Sequence, residues 1–342
     1  MTTLITKRLP YLATTERMLS PLGPVVYAED ISAATLRAAA RDATIVIATK
    51  GAVIDDDLLD AAPKIRVIAA PTAGYEWIDV AAATRRGIPV IANTGAAAES
   101  VATFAVGVVL AYSRRIVAAD RALRSGQPWS EVRTRYATVG QAIGTDLTNA
   151  TIGIVGLGHI GRKVAEKLAI IRPRRIVGCD PYVTAEDAQR LGVEFGSDLL
   201  TIARESDVLL VHVPLVPATR HLINREVIAA LGADALLVNC SRGEVVDEPA
   251  LIEALRTGQL GGAALDVFTE EPLPADSPLL GLDNVILTPH IAGVTRESDE
   301  VRAREIAERI LTCLDGTRPV GLVNPEVWPP SVAWHRDQAP AS

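Results

Sequence analysis

The chain has 342 residues, 49% of them hydrophobic and 22% charged, with a formal net charge of -7. That length predicts two domains with sizeable cores, and the acidic balance argues against nucleic-acid binding, which calls for a basic excess on one face. Three scattered cysteines, Cys179, Cys240 and Cys313, offer neither a disulfide framework nor a metal-binding spacing, so a reducing compartment is expected and no metal.

In chain order, "MTTLITKRLP" lacks the apolar stretch of a signal peptide. The runs "TIVIAT" (44 to 49), "IRVIAA" (65 to 70) and "IPVIA" (88 to 92) are predicted strands of a first α/β unit. A long helical pattern follows over 99 to 126, interrupted only by Gly107, and is expected to bridge two domains. Its apolar part, "VATFAVGVVLAY" (101 to 112), is too short to span a bilayer, so a cytoplasmic protein without a membrane partner is expected.

From residue 151 strands and helices alternate: "TIGIV" (151 to 155), "RIVGCD" (175 to 180), "DVLLVHV" (207 to 213), "ALLVNC" (235 to 240), "GGAALDV" (261 to 267) and "NVILT" (284 to 288). Continuous apolar strands separated by helix-length segments predict a parallel sheet covered on both faces. A second bridging helix is predicted over 296 to 316, and the proline-rich end from residue 324 reads as a tail that packs through Trp328 or Trp334.

"TIGIVGLGHIG" places Gly156, Gly158 and Gly161 in G-x-G-x-x-G register between a strand and a helix. This pattern supplies a tight turn, a backbone that a pyrophosphate can approach, and a helix N-terminus to receive its charge. The next strand ends in Asp180, placed to accept hydrogen bonds from an adenosine ribose and to repel a 2′-phosphate, so NAD is expected over NADP.

Beyond the carboxyl ends of later strands come Arg242, the acids from Asp266 to Glu271, and His290. Beside a nicotinamide this set suits reversible hydride transfer at a carbonyl: a guanidinium holds a carboxylate, an imidazole exchanges a proton with the oxygen, and a carboxylate fixes the imidazole tautomer. Spacing alone does not choose between Glu270 and Glu271. His212, at another strand end, is expected to form a wall near the cofactor.

The motifs "GIVGLGHIG", "HVPLVPATRHLIN", "LLVNCSRGEVVDEPAL", "GGAALDVFTEEPLP" and "NVILTPHIAG" together resemble the D-2-hydroxyacid dehydrogenase family, over about residues 44 to 325. The resemblance implies catalytic roles for Arg242, Glu271 and His290, the glutamate being the one before Pro272. It implies cofactor contacts at Gly156, Gly158, His159, Ile160, Gly161, Asp180, Pro214, Cys240, Ser241, Asp266 and Gly293. Substrate would be held by Arg242 and by backbone N–H groups near Ala73 and Gly74 in "APTAGYEWID".

By the same resemblance the fold is α/β, a doubly wound Rossmann domain (99–316, including both bridging helices) plus a smaller flavodoxin-like substrate domain (1–98 and 317–342) that closes as a lid. A homodimer acting on a small 2-hydroxy or 2-oxo acid is implied. Thr72, Glu76, Trp77 and Ala97 depart from residues common in the family and leave the substrate side chain open. The alternative function is an NAD(H)-sensing regulatory protein of corepressor type.

Overall fold

The computed structural model describes residues 1–138 and 143–329, so Trp334 in the expected tail lies outside the described residues. Two compact units emerge: Met1–Ala97 together with the chain from Val294 onward, and Ala98–Gly293.

In the first unit, strands β1 (Thr3–Ile5), β2 (Val25–Tyr27), β3 (Ile45–Ile47), β4 (Val67–Ala70) and β5 (Val90–Ala92) form one parallel sheet in the order β2-β1-β3-β4-β5. Successive side chains of a strand point to opposite faces, and both faces here are apolar. Leu4, Val46, Ile68 and Val90 enter one core, whereas Ile5, Ile45, Ile47, Val67 and Ile91 enter the other. This is the flavodoxin-like strand order. β1 and β2 are not among the strands predicted from the sequence.

The helix Arg296–Leu314 belongs to this unit, not to the dinucleotide-binding one as expected. Its Ile306, Ala307, Ile310 and Cys313 are buried in the second of those cores, beneath β1, β3, β4 and β5. A capping box between Thr295 and Ser298 starts the helix. Beyond it, Val323 N–H donates to the Val90 carbonyl and the Asn324 carboxamide accepts from Val90 N–H, tying the C-terminal segment to β5. Trp328 packs on the same core as the helix.

The second unit holds β6 (Thr151–Val155), β7 (Arg175–Cys179), β8 (Glu194–Phe195), β9 (Val208–Val211), β10 (Leu236–Asn239), β11 (Gly262–Leu265) and β12 (Val285–Leu287). They form a parallel sheet in the order β12-β11-β10-β9-β6-β7-β8. The order reverses between β6 and β9, and in open α/β sheets ligands bind beyond the carboxyl ends of the strands at such a reversal.

The helical pattern over 99 to 126 is two helices, Ala98–Ser113 and Ile116–Arg124, bent by 64°. The break falls at Arg115, which adopts a left-handed backbone (φ 56°), and not at Gly107, which stays inside the first helix. Glycine weakens a helix by about 1 kcal/mol, too little to end one held by buried Val101, Ala105 and Val109. Among the described residues no single helix is long and apolar enough to cross a membrane.

Candidate active site

The three glycines after β6 serve three different purposes. At Gly156 φ is 94°, and a Cβ would lie 2.6 Å from the His212 carbonyl oxygen, so only glycine allows the turn against β9. A Cβ on Gly161 would lie 1.9 Å from the Gly156 carbonyl oxygen, which is the close packing of helix on loop. Gly158 meets nothing within 4 Å and caps the helix His159–Ala169, leaving a cradle open to a phosphate at that helix N-terminus. Asp180, just past β7, braces the loop: its carboxylate accepts from Leu157 N–H (2.9 Å) and Tyr182 N–H (2.8 Å). Gly156, Gly158, His159, Ile160, Gly161 and Asp180 are thus brought together around one helix N-terminus.

Arg242 leaves β10 through a braced turn. The buried Asn239 carboxamide accepts from both the N–H (3.0 Å) and the hydroxyl (2.8 Å) of Ser241, and donates to the Arg242 carbonyl (2.9 Å). The guanidinium donates back to the Ser241 carbonyl at 2.7 Å. Gly243 then runs against the loop after β11 so closely that a Cβ would lie 2.0 Å from the Phe268 carbonyl carbon. This contact joins the arginine's loop to the loop that carries Glu271. Cys240 is buried, and burial pushes its thiol up, which keeps it inert.

His290 follows β12 in a left-handed conformation (φ 55°), a strained backbone for a side chain of its size. Its N–H donates to the Asp266 carbonyl at 2.8 Å. The Asp266 side chain, 1% exposed, accepts from Ile291 N–H (2.9 Å), Ala292 N–H (2.8 Å) and the Thr288 hydroxyl (2.6 Å), so it fixes the turn that presents the imidazole. Nδ1 of His290 faces the Glu271 carboxylate at 2.8 and 3.1 Å. The structure thus pairs His290 with Glu271.

Asn239, Gly243 and Thr288 escape the sequence reading. A polar residue ending an apolar strand was the available signal for Asn239. His212 is buried, both ring nitrogens lack a hydrogen-bond partner among the described residues, and burial lowers its pKa to about 4.

In the first unit, the loop after β4 contains Ala73 and Gly74. The Thr72 hydroxyl donates to the Gly74 carbonyl (2.9 Å) and Asn93 N–H donates to the Thr72 carbonyl (3.0 Å). Trp77 packs against that unit's core with its indole N–H on the Ala48 carbonyl (3.1 Å), which gives this departure from the family pattern a structural reason.

Residues 106–292 match the pattern of the D-isomer specific 2-hydroxyacid dehydrogenase, NAD binding domain. A glyoxylate reductase of Thermofilum pendens is 41% identical over 282 residues, covering 80% of this chain and 79% of that protein. A D-3-phosphoglycerate dehydrogenase of Methanocaldococcus jannaschii is 38% identical over 308 residues, covering 90% of this chain; the chain spans only 57% of that relative's length. The TT0316 protein of Thermus thermophilus superposes with a TM-score of 0.83 at 34% identity, over 94% of this chain and all (100%) of that one. The second unit is an NAD-binding domain, and the chain belongs to the D-isomer specific 2-hydroxyacid dehydrogenase family.

Proposed function

We propose that the protein interconverts a D-2-hydroxy acid and its 2-oxo acid with NAD. The observation that carries this reading is the His290–Glu271 pair, whose glutamate lies on the loop that packs at Gly243 against the turn bearing Arg242, in the same unit as a dinucleotide loop. With the dinucleotide's diphosphate seated at the glycine loop, its nicotinamide would supply or accept the hydride.

The chain's own groups do the rest. Arg242 grips the substrate carboxylate and polarises the neighbouring carbonyl, an effect worth about 3 kcal/mol at the transition state. Glu271 holds Nδ1 of His290, so Nε2 gives a proton to the carbonyl oxygen in reduction and takes it from the hydroxyl in oxidation. Backbone N–H groups at Ala73 and Gly74 are the proposed second hold on the carboxylate. Gly156 to Gly161 would seat the diphosphate and Asp180 the adenosine ribose, with Pro214, Cys240, Ser241, Asp266 and Gly293 along the rest of the cofactor. A cytoplasmic homodimer belongs to the same proposal, supported by family kinship.

The test is NADH oxidation with glyoxylate, hydroxypyruvate, pyruvate and larger branched or aromatic 2-oxo acids. Turnover of at least one, abolished by His290→Ala, is expected. Tight NADH binding without turnover on any of them would replace this reading with that of an NAD(H)-sensing binding protein.

A further inference from the structure

Two successive backbone N–H groups head the turn that carries Glu271, and each donates to a carboxylate. Phe268 N–H donates to Oε1 of Glu271 itself at 3.3 Å, closing the turn on the carboxylate that faces Nδ1 of His290. Thr269 N–H donates at 3.0 Å to Oε2 of Glu248, which comes from another segment of the chain. An acid in the first turn of a helix has an ordinary explanation, the positive end of the helix dipole. That explanation does not require a bond to Thr269.

Glu248 stands on a fixed base. It opens the helix Glu248–Thr257, which buries Ala250, Leu251, Ala254 and Leu255 and is capped by the Asp247 side chain, an acceptor for Ala250 N–H at 3.1 Å. The segment from Arg242 to that helix is held along its length: His221 N–H donates to the Glu244 carbonyl (2.8 Å), Ile223 N–H to the Val245 carbonyl (3.0 Å) and Asp247 N–H to the Ile223 carbonyl (3.0 Å). The Glu271 turn has no such support, because no helix or strand occupies residues 266–277 and both Thr269 and Glu270 are exposed. Packing against Gly243 limits how near the Phe268–Thr269 peptide can come but not how it is tilted. A hydrogen bond to its N–H does set the tilt, since such bonds weaken steeply once the angle falls below about 120°.

We propose that Glu248 is a positioning residue: by holding Thr269 N–H it orients the turn Phe268–Glu271 and so sets how the Glu271 carboxylate meets Nδ1 of His290. A fixed post on the arginine's segment thereby steers the proton chemistry of the histidine, which Glu248 does not itself touch. For turnover this role rests on the proposed hydride-transfer reading, whereas its effect on the imidazole tautomer does not.

The experiment uses the full-length protein with ring-nitrogen-labelled histidine, the His290 signals being assigned by their loss in His290→Asn. NMR at about pH 9, above the ordinary histidine range, reads which ring nitrogen carries the proton. The wild type should be protonated mainly on Nδ1. Glu248→Asp keeps the charge at the helix end but is one methylene too short for Thr269, and Glu248→Gln gives up the charge but keeps the acceptor. Glu248→Ala and Glu248→Asp should lower the Nδ1-protonated share about two-fold or more, while Glu248→Gln retains it. With one 2-oxo acid, kcat should fall about 10-fold in the Ala and Asp variants with KM little changed, and adding Glu248→Ala to Glu271→Gln should cost little more. Should Glu248→Ala fold poorly, the Asp and Gln variants decide between them. An unchanged tautomer in Glu248→Asp, or a Gln variant that behaves like Ala while Asp behaves like wild type, overturns the role and leaves Glu248 a helix-end charge. A wild type without turnover would sink the proposed reaction, and the ring measurement would still decide the position of Glu248.

Discussion

Nδ1 of His290 lies 2.8 Å from Oε2 and 3.1 Å from Oε1 of Glu271, which commits that nitrogen to a carboxylate and leaves the proton exchanged with substrate to Nε2. Glu271→Gln preserves the volume but presents an amide that can donate to Nδ1 and select the other tautomer. We expect kcat to fall about 100-fold, within the range of one misdirected acid–base group, while the NADH dissociation constant stays within a factor of two. Steady-state kinetics and NADH fluorescence titration check both; an unchanged kcat would remove Glu271 from the proton path.

Arg242 differs in kind, because it would hold the substrate in the ground state as well as polarise it. Arg242→Gln should therefore raise KM and lower kcat together, for a loss in kcat/KM of about 100-fold or more. Lysine in its place should restore part of the charge but not the fork, and so recover KM only partially. Kinetics of the two variants on one 2-oxo acid test this, and equal kcat/KM for wild type and Arg242→Gln would exclude the assigned role.

Much of this arrangement is legible in the sequence because it depends on local rules. The buried strands β6, β9, β10 and β11 are continuous apolar runs, and the glycine loop carries its own spacing. Other features depend on contacts between distant segments. The helix Arg296–Leu314 shows its cap and its pattern, but nothing local says which core receives Ile306 and Ile310. The bend at Arg115 is likewise invisible, since glycine is the usual sign of a break and the left-handed residue here is an arginine. Asn239 and Thr288 act by bracing Ser241 and Asp266, and such bracing leaves no periodicity to read.

Gly243 gives a prediction of stability as well as activity. A Cβ there would collide with backbone atoms of Phe268 and Thr269, not with the end of a flexible side chain, so the two loops must separate. Gly243→Ala should cost about 1 to 3 kcal/mol and lower kcat/KM even though no functional group is lost. Urea denaturation alongside kinetics checks it; a variant with wild-type values for both would show that the close approach is not needed.

Asp180, the proposed partner of the adenosine ribose, also braces the glycine loop, because its carboxylate accepts from the N–H groups of Leu157 and Tyr182. The wild type should prefer NADH over NADPH by about 10-fold or more through repulsion of the 2′-phosphate. Asp180→Ala should weaken NADH binding and compress the ratio toward unity. Dissociation constants for both cofactors, measured at one ionic strength, decide the point, and equal affinities in the wild type would contradict it.

His212 makes the fold sensitive to acid. Its imidazole is buried with no partner on either nitrogen among the described residues, and burial lowers its pKa to about 4, against 6.5 for the exposed group. The folded state therefore favours the neutral ring, while the unfolded chain takes up a proton once the pH falls below about 6.5. The stabilisation is complete above that value, is lost progressively as the pH drops toward about 4, and changes no further below it; its full extent is about 3 kcal/mol. His212→Leu removes this component but leaves the titration of the carboxylates in place. Urea midpoints at about pH 7, 6 and 5 should fall more steeply for the wild type than for the variant, and parallel slopes would mean that the ring is not held neutral in the fold.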